Sequence, residues 1–186
     1  MTEQFTIQSE RGSFSTRQLS VGHTLLEVVR AVSIIRNGTV LDLFTGDGAS
    51  IAPIQKLVVP ERIICAEHSR GAITVGLRNG RFSGVAPQDI LIEDAEEAVE
   101  RLAYSGAQVD LITGFGLSDE YISQPHSFLS GMQSIVRPHG AILMTGPEDF
   151  VESMFEGWQR NYGGEFAIRQ NPVHDWDRNM YLWVKQ

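Results

Sequence analysis

Three carboxylates stand at or beside the ends of three short apolar runs, with a glycine-rich turn between the first and the second. Asp42 lies in Thr39–Leu43, Glu67 follows Arg62–Ala66, and Asp94 follows Asp89–Ile92. The turn reads Asp42-Leu43-Phe44-Thr45-Gly46-Asp47-Gly48. Glycines there let the main chain turn tightly and approach a ligand with no Cβ in the way. Free N–H groups at the start of the helix that follows favour a polar or anionic group. An ionised carboxylate only accepts hydrogen bonds, so Glu67 at a strand tip suits the two vicinal hydroxyls of a ribose. Asp94 could accept from an exocyclic amine such as that of adenine. Its alternatives are a helix N-cap before Ala95 and a solvated strand end.

Two phosphate-binding patterns fail on single residues. A dinucleotide fingerprint wants a third Gly or Ala at position 51, where the chain has Ile51. A P-loop wants Gly-Lys-Ser/Thr, and Gly48-Ala49-Ser50 lacks the lysine. Taken together, the turn and the three acids outline a nucleoside-shaped site without a phosphate grip.

Positioning such groups needs an open sheet, and the pattern supplies one. Residues 1–18 read as a polar arm and 19–36 as an amphipathic leading helix, stopped by Asn37-Gly38. Strands are then expected at Thr39–Leu43, Arg62–Ala66, Asp89–Ile92, Val109–Thr113 and Ala141–Thr145. Helices are expected at Ala49–Leu57, Ser69–Arg81, Ala95–Ala103, Gln124–Val136 and Glu148–Asn161. Apolar strands alternating with helices imply parallel pairing through right-handed crossovers, and hence a doubly wound α/β sheet with helices on both faces. The end of the chain breaks the rhythm. Phe166–Asn171 and Met180–Lys185 read as strands joined by a short polar turn, too short for a helical crossover, so the final strand is expected to run antiparallel.

Composition narrows the class further. The 186 residues, 42% apolar and 20% charged, suit one folded domain spanning the chain. Fifteen basic residues against 23 acidic ones give a net charge of −8, which disfavours a broad basic surface for nucleic acid. The one cysteine, Cys65, sits in an apolar run and excludes an internal disulfide or a multi-cysteine zinc site. No pair of His and acidic residues has metal-ligand spacing, so no metal is expected. No run reaches the ~18 apolar residues of a membrane span and residues 1–12 carry no signal-peptide core, so the expected location is the cytoplasm.

At these residues the chain resembles the class I S-adenosylmethionine-dependent methyltransferases. Asp42–Gly48 resembles their first motif with Phe44 in place of the first glycine. Glu67 falls at the ribose-binding acid and Asp94-Ala95 at the adenine contact. Ile135-Val136-Arg137-Pro138-His139-Gly140 resembles the turn into the fifth strand, with His139 replacing a glycine. The resemblance implies a seven-stranded mixed sheet of order 3-2-1-4-5-7-6. It implies S-adenosylmethionine as cofactor, with Asp42, Gly46 and Gly48 lining its methionine end and Phe44 and Asp47 as their loop neighbours. It further implies Glu67 on the ribose, His68 against the adenine face, Asp94 and the Ala95 backbone on the adenine, and Gly114 and Phe115 beside the reacting methyl group.

The acceptor is less constrained. Methyl transfer from a sulfonium is an in-line displacement that rests largely on positioning. Thr113-Gly114-Phe115-Gly116-Leu117 lacks the Asn/Asp-Pro-Pro-aromatic tetrad of base-methylating enzymes, which together with the charge favours a small-molecule acceptor over RNA or protein. A non-catalytic binding protein of the same fold is the other reading. His126, Asp119, His174 and Asp175 are candidate bases, but each better suits a plain structural role such as a helix start or a polar turn, and no catalytic residue is assigned. Residues 11–17 could close over the site or form a solvated tail.

Overall fold

A computed structural model of the chain describes residues 8–9, 12–13, 37–117, 122–146, 165–170 and 179–185. The expected leading helix 19–36, the helix 148–161 and the candidate bases Asp119, His174 and Asp175 lie outside these residues. Within the expected arm, Gln8–Ser9 pairs antiparallel with Gly12–Ser13.

The strands are β1 (Thr39–Leu43), β2 (Arg62–Ala66), β3 (Ile90–Leu91), β4 (Val109–Phe115), β5 (Val136–Gly146), β6 (Glu165–Gln170) and β7 (Asn179–Val184). The helices are α1 (Ile51–Leu57), α2 (Arg70–Arg78), α3 (Ala95–Tyr104) and α4 (Pro125–Ile135). A mixed sheet runs in the order β3-β2-β1-β4-β5-β7, parallel up to β5 and antiparallel where β7 joins. A β6 ladder lies antiparallel along the outer edge of β7. Strand order reverses at β1, whose neighbours are β2 on one side and β4 on the other. In open α/β sheets such a reversal is where ligands bind, outside the carboxyl ends of the two diverging strands, here β1 and β4.

Alternation along the strands divides the core in two. Leu41, Leu43, Ile64, Ile112 and Ile142 pack under α3 and α4. Val40, Ile63, Cys65, Leu111 and Leu143 pack under α1 and α2. Helices therefore cover both faces, and a one-residue slip in any strand would exchange its two sets.

Several boundaries differ from the sequence expectation, each for a local reason. Helix α1 starts at Ile51 rather than Ala49, because residues 46–50 are spent in turns. Helix α2 stops at Arg78, where Asn79 leads into Gly80 at φ 68°. Asp89 belongs to the 3-10 turn Pro87–Asp89 rather than to β3, and pairs with Arg62 at 2.6 Å. That hydrogen-bonded partner raises the Arg62 pKa above its ordinary value, against the opposing effect of burial. Strand β5 is longer than expected because it includes the Arg137–Gly140 segment, across which the register with β4 shifts. The segment is held to the edge of the sheet by the His139 N–H donating to the Lys185 carbonyl and the Lys185 N–H donating to the Gly140 carbonyl. Among the described residues no helix is long and apolar enough to cross a membrane.

Candidate functional site

The glycine turn leaves β1 at Leu43, which pairs with Ala66 on one side and Gly114 on the other. Phe44 follows at φ 55°, a left-handed conformation that normally selects glycine. Its half-buried ring meets Phe128 of α4 edge-on, with centroids 6.5 Å apart. The chain then folds back on itself. The Thr45 N–H donates to the Ala66 carbonyl, the Thr45 hydroxyl to the Asp42 carbonyl, and the Gly48 N–H to the Thr45 carbonyl. Gly46 and Gly48 both take positive φ, 61° and 80°.

Glu67 is the junction between this turn and the tip of β2. Its Oε2 accepts from the Gly46 N–H at 2.9 Å and its Oε1 from the Ser69 N–H at 2.8 Å. Its side chain is buried, with both carboxylate oxygens engaged by these main-chain donors. His68 stays half exposed, its Nδ1 3.1 Å from Glu67 Oε1. Ser69 caps α2 by accepting from the Ala72 N–H.

Asp94 is exposed and has the extended backbone of an N-cap, but its side chain makes no capping bond. The carboxylate is thus not spent on the helix. Ala95 is buried beneath it. Asp94 and Glu67 share the carboxyl-end rim of the sheet, since the Glu67 N–H donates to the Leu91 carbonyl at the end of β3.

Asp42 behaves differently from the other two acids. It is 0% exposed and points to the α1 side of the sheet, with Oδ1 accepting from the Thr113 hydroxyl and Oδ2 from the Ser50 hydroxyl. Asp47 forms an ion pair with Arg81, which follows α2, while its Oδ1 is buried with no hydrogen-bond partner among the described residues. Gly76 of α2 lies against this segment so closely that a Cβ there would strike the Asp47 carbonyl and the Phe82 ring. The turn is therefore braced from below by α2.

Gly114 is needed for packing: a Cβ would collide with the Met144 sulfur and come within 3.5 Å of the Phe44 ring. Phe115 belongs to the core beneath α1 and α2. Ser50, Thr113, Ser69, Arg81 and Gly76 were not singled out by sequence reasoning. The signal available for Thr113 was a hydroxyl within an apolar strand.

Among the described residues no group of His, Cys, Asp or Glu could hold a metal ion. Burial, and then the nearby charge of Asp42, push the Cys65 thiol far above its ordinary value, so it stays protonated. A groove of about 440 Å³ between α3 and α4, lined by Glu96, Glu97, Glu100 and Phe128, contains none of the candidate site residues.

This geometry defines an open, doubly wound α/β protein with a glycine turn and acidic strand tips at its switch point. Its particular fold is that of the class I S-adenosylmethionine-dependent methyltransferases, judged from solved structures. A candidate methyltransferase from Streptococcus mutans, solved with S-adenosylhomocysteine, superposes with a TM-score of 0.63 at 11% identity, over 91% of this chain and 98% of that one. An rRNA methylase from Streptococcus thermophilus gives 0.59 at 14% identity, over 88% and 93%. A precorrin 8w decarboxylase from Methanobacterium thermoautotrophicum gives 0.61 at 15% identity, over 88% and 89%. No protein-family model and no curated protein matches the sequence.

Proposed function

We propose that the chain is an S-adenosylmethionine-dependent methyltransferase acting on a small molecule. The observation that carries this reading is the Glu67 junction, where one carboxylate at the tip of β2 also fixes the glycine turn after β1. That junction lets one ligand span both features: a ribose on Glu67 and an amino-acid tail over Gly46–Gly48. Asp94, uncommitted to capping, accepts from the adenine amine, and the Ala95 N–H can donate to the ring. His68, half exposed beside Glu67, offers an imidazole face to the adenine. The fit of this donor set to S-adenosylmethionine is good at the nucleoside end. At the methionine end it is made by the main chain rather than by Asp42, which is enclosed.

When bound, the cofactor supplies a methyl group on a sulfonium. The chain's own contribution is to orient the two reactants and exclude water, which suffices where the acceptor atom already has a free lone pair. The net charge of −8 favours a small acceptor over the phosphate backbone of RNA. The fold alone does not choose, since its relatives carry both methylase and decarboxylase names. The same reading takes the β6 ladder as the seventh strand, giving the order 3-2-1-4-5-7-6.

Calorimetric titration with S-adenosylmethionine tests the cofactor. Saturable binding with one site per chain is expected, and no heat at millimolar cofactor would overturn the reading. Radiolabelled methyl transfer to fractionated small metabolites, compared with bulk RNA and protein, tests the acceptor.

A further inference from the structure

We propose that Ser50 and Thr113 are positioning residues, which set the glycine turn for the cofactor's amino-acid tail by clamping Asp42. The inference rests on the cofactor reading above. Asp42 has no exposed surface, so the turn, not the carboxylate, must meet a ligand. Taking a carboxylate out of water is unfavourable unless its oxygens are hydrogen-bonded. Here the Thr113 Oγ1 donates to Oδ1 at 2.6 Å and the Ser50 Oγ to Oδ2 at 2.5 Å, both short, charge-assisted contacts.

The placement of the two hydroxyls is what makes the clamp specific. Asp42 lies one residue before the end of β1 and Ser50 directly before α1, so a single side-chain contact ties together the two ends of the turn. Ser50 occupies the N-cap of α1 but makes no capping bond; its hydroxyl is directed to Asp42 instead. Thr113 faces Asp42 across the β1–β4 ladder and fixes the carboxylate's rotation from the neighbouring strand. The Thr45 hydroxyl, donating to the Asp42 carbonyl at 2.7 Å, closes the first half of the turn onto the same residue. An apolar residue at 42 would fill this interior without the desolvation penalty. The acid and its two hydroxyls therefore serve to fix turn geometry, which bulk packing would set less sharply.

Calorimetry with two ligands tests the clamp. S-Adenosylhomocysteine carries the amino-acid tail and 5′-methylthioadenosine lacks it. Thr113→Val and Ser50→Ala are each expected to weaken S-adenosylhomocysteine binding by about tenfold or more, the effect of one lost charge-assisted hydrogen bond. The same variants should leave 5′-methylthioadenosine within about twofold of the parent on that scale. Thr113→Ser, which restores the hydroxyl, should recover most of the tail-dependent affinity. Equal losses for both ligands, or none, would overturn the clamp while leaving the cofactor site standing. Failure of the parent protein to bind S-adenosylhomocysteine would instead overturn the site reading and this inference with it. Should Thr113→Val not fold, Ser50→Ala alone decides between these outcomes.

Discussion

The Gly46 N–H and the Glu67 carboxylate meet at 2.9 Å, joining the glycine turn after β1 to the tip of β2. The second oxygen of Glu67 holds the Ser69 N–H at the start of α2, so one side chain organises two main-chain segments. Replacing it removes an acceptor from both.

Glu67→Ala is expected to weaken S-adenosylmethionine binding by roughly 1–3 kcal/mol, through lost charge-assisted hydrogen bonds and a loosened turn. Glu67→Gln should lose less, since its amide oxygen can still serve one of the two N–H groups. Titration calorimetry on both variants checks this order. Unchanged affinity in Glu67→Ala would remove Glu67 from the site.

Phe44 and His139 stand where the resembled motifs have glycine, and both adopt left-handed backbone, at φ 55° and 64°. The fold has kept the glycine conformation and accepted the strain of a side chain. At each position the glycine variant should exceed the alanine variant in stability by about 1 kcal/mol, because alanine retains the Cβ clash that glycine lacks. The comparison isolates backbone from packing, since both variants at 44 lose the edge contact with Phe128. Urea denaturation of the four proteins measures the difference; equal midpoints within each pair would contradict it.

Cys65 supplies a pH dependence with a definite sign. Burial, reinforced by the charge of Asp42, raises its folded pKa above the ordinary 9.0. The folded state therefore holds the thiol proton while the unfolded chain releases it. The associated stability is complete below pH 9.0 and declines as pH rises beyond it, by up to about 1.4 kcal/mol per pH unit for one group. Cys65→Ala should show a shallower alkaline decline than the parent in unfolding measured at pH 8 and pH 10. A thiol reagent should label the native protein only as fast as it opens. Rapid native labelling, or identical alkaline slopes, would contradict this.

The alternation of strand and helix was legible in the sequence because it resides in neighbouring residues: apolar period and turn glycines. The same is true of the glycine turn and of the acids that end the strands. Less was legible about boundaries. Asp89 looked like the start of β3 but is drawn into a turn by Arg62 from another strand. Arg137–Gly140 looked like a plain turn, yet it is held to the sheet by Lys185, far along the chain.

The sequence by itself therefore determined that this chain forms a doubly wound sheet and which residues end up at its carboxyl-end rim. It could not determine how those residues divide their work. Asp42, Glu67 and Asp94 looked equivalent as acids at strand ends. Tertiary structure separated them into an enclosed carboxylate held by hydroxyls, a junction between two main-chain segments and an exposed side chain that makes no capping bond. The reason is that a carboxylate's role depends on which donors surround it, and donors such as Thr113 arrive only when β4 is laid beside β1. Position along the chain carries no information about that neighbour, whereas strand order and burial decide it.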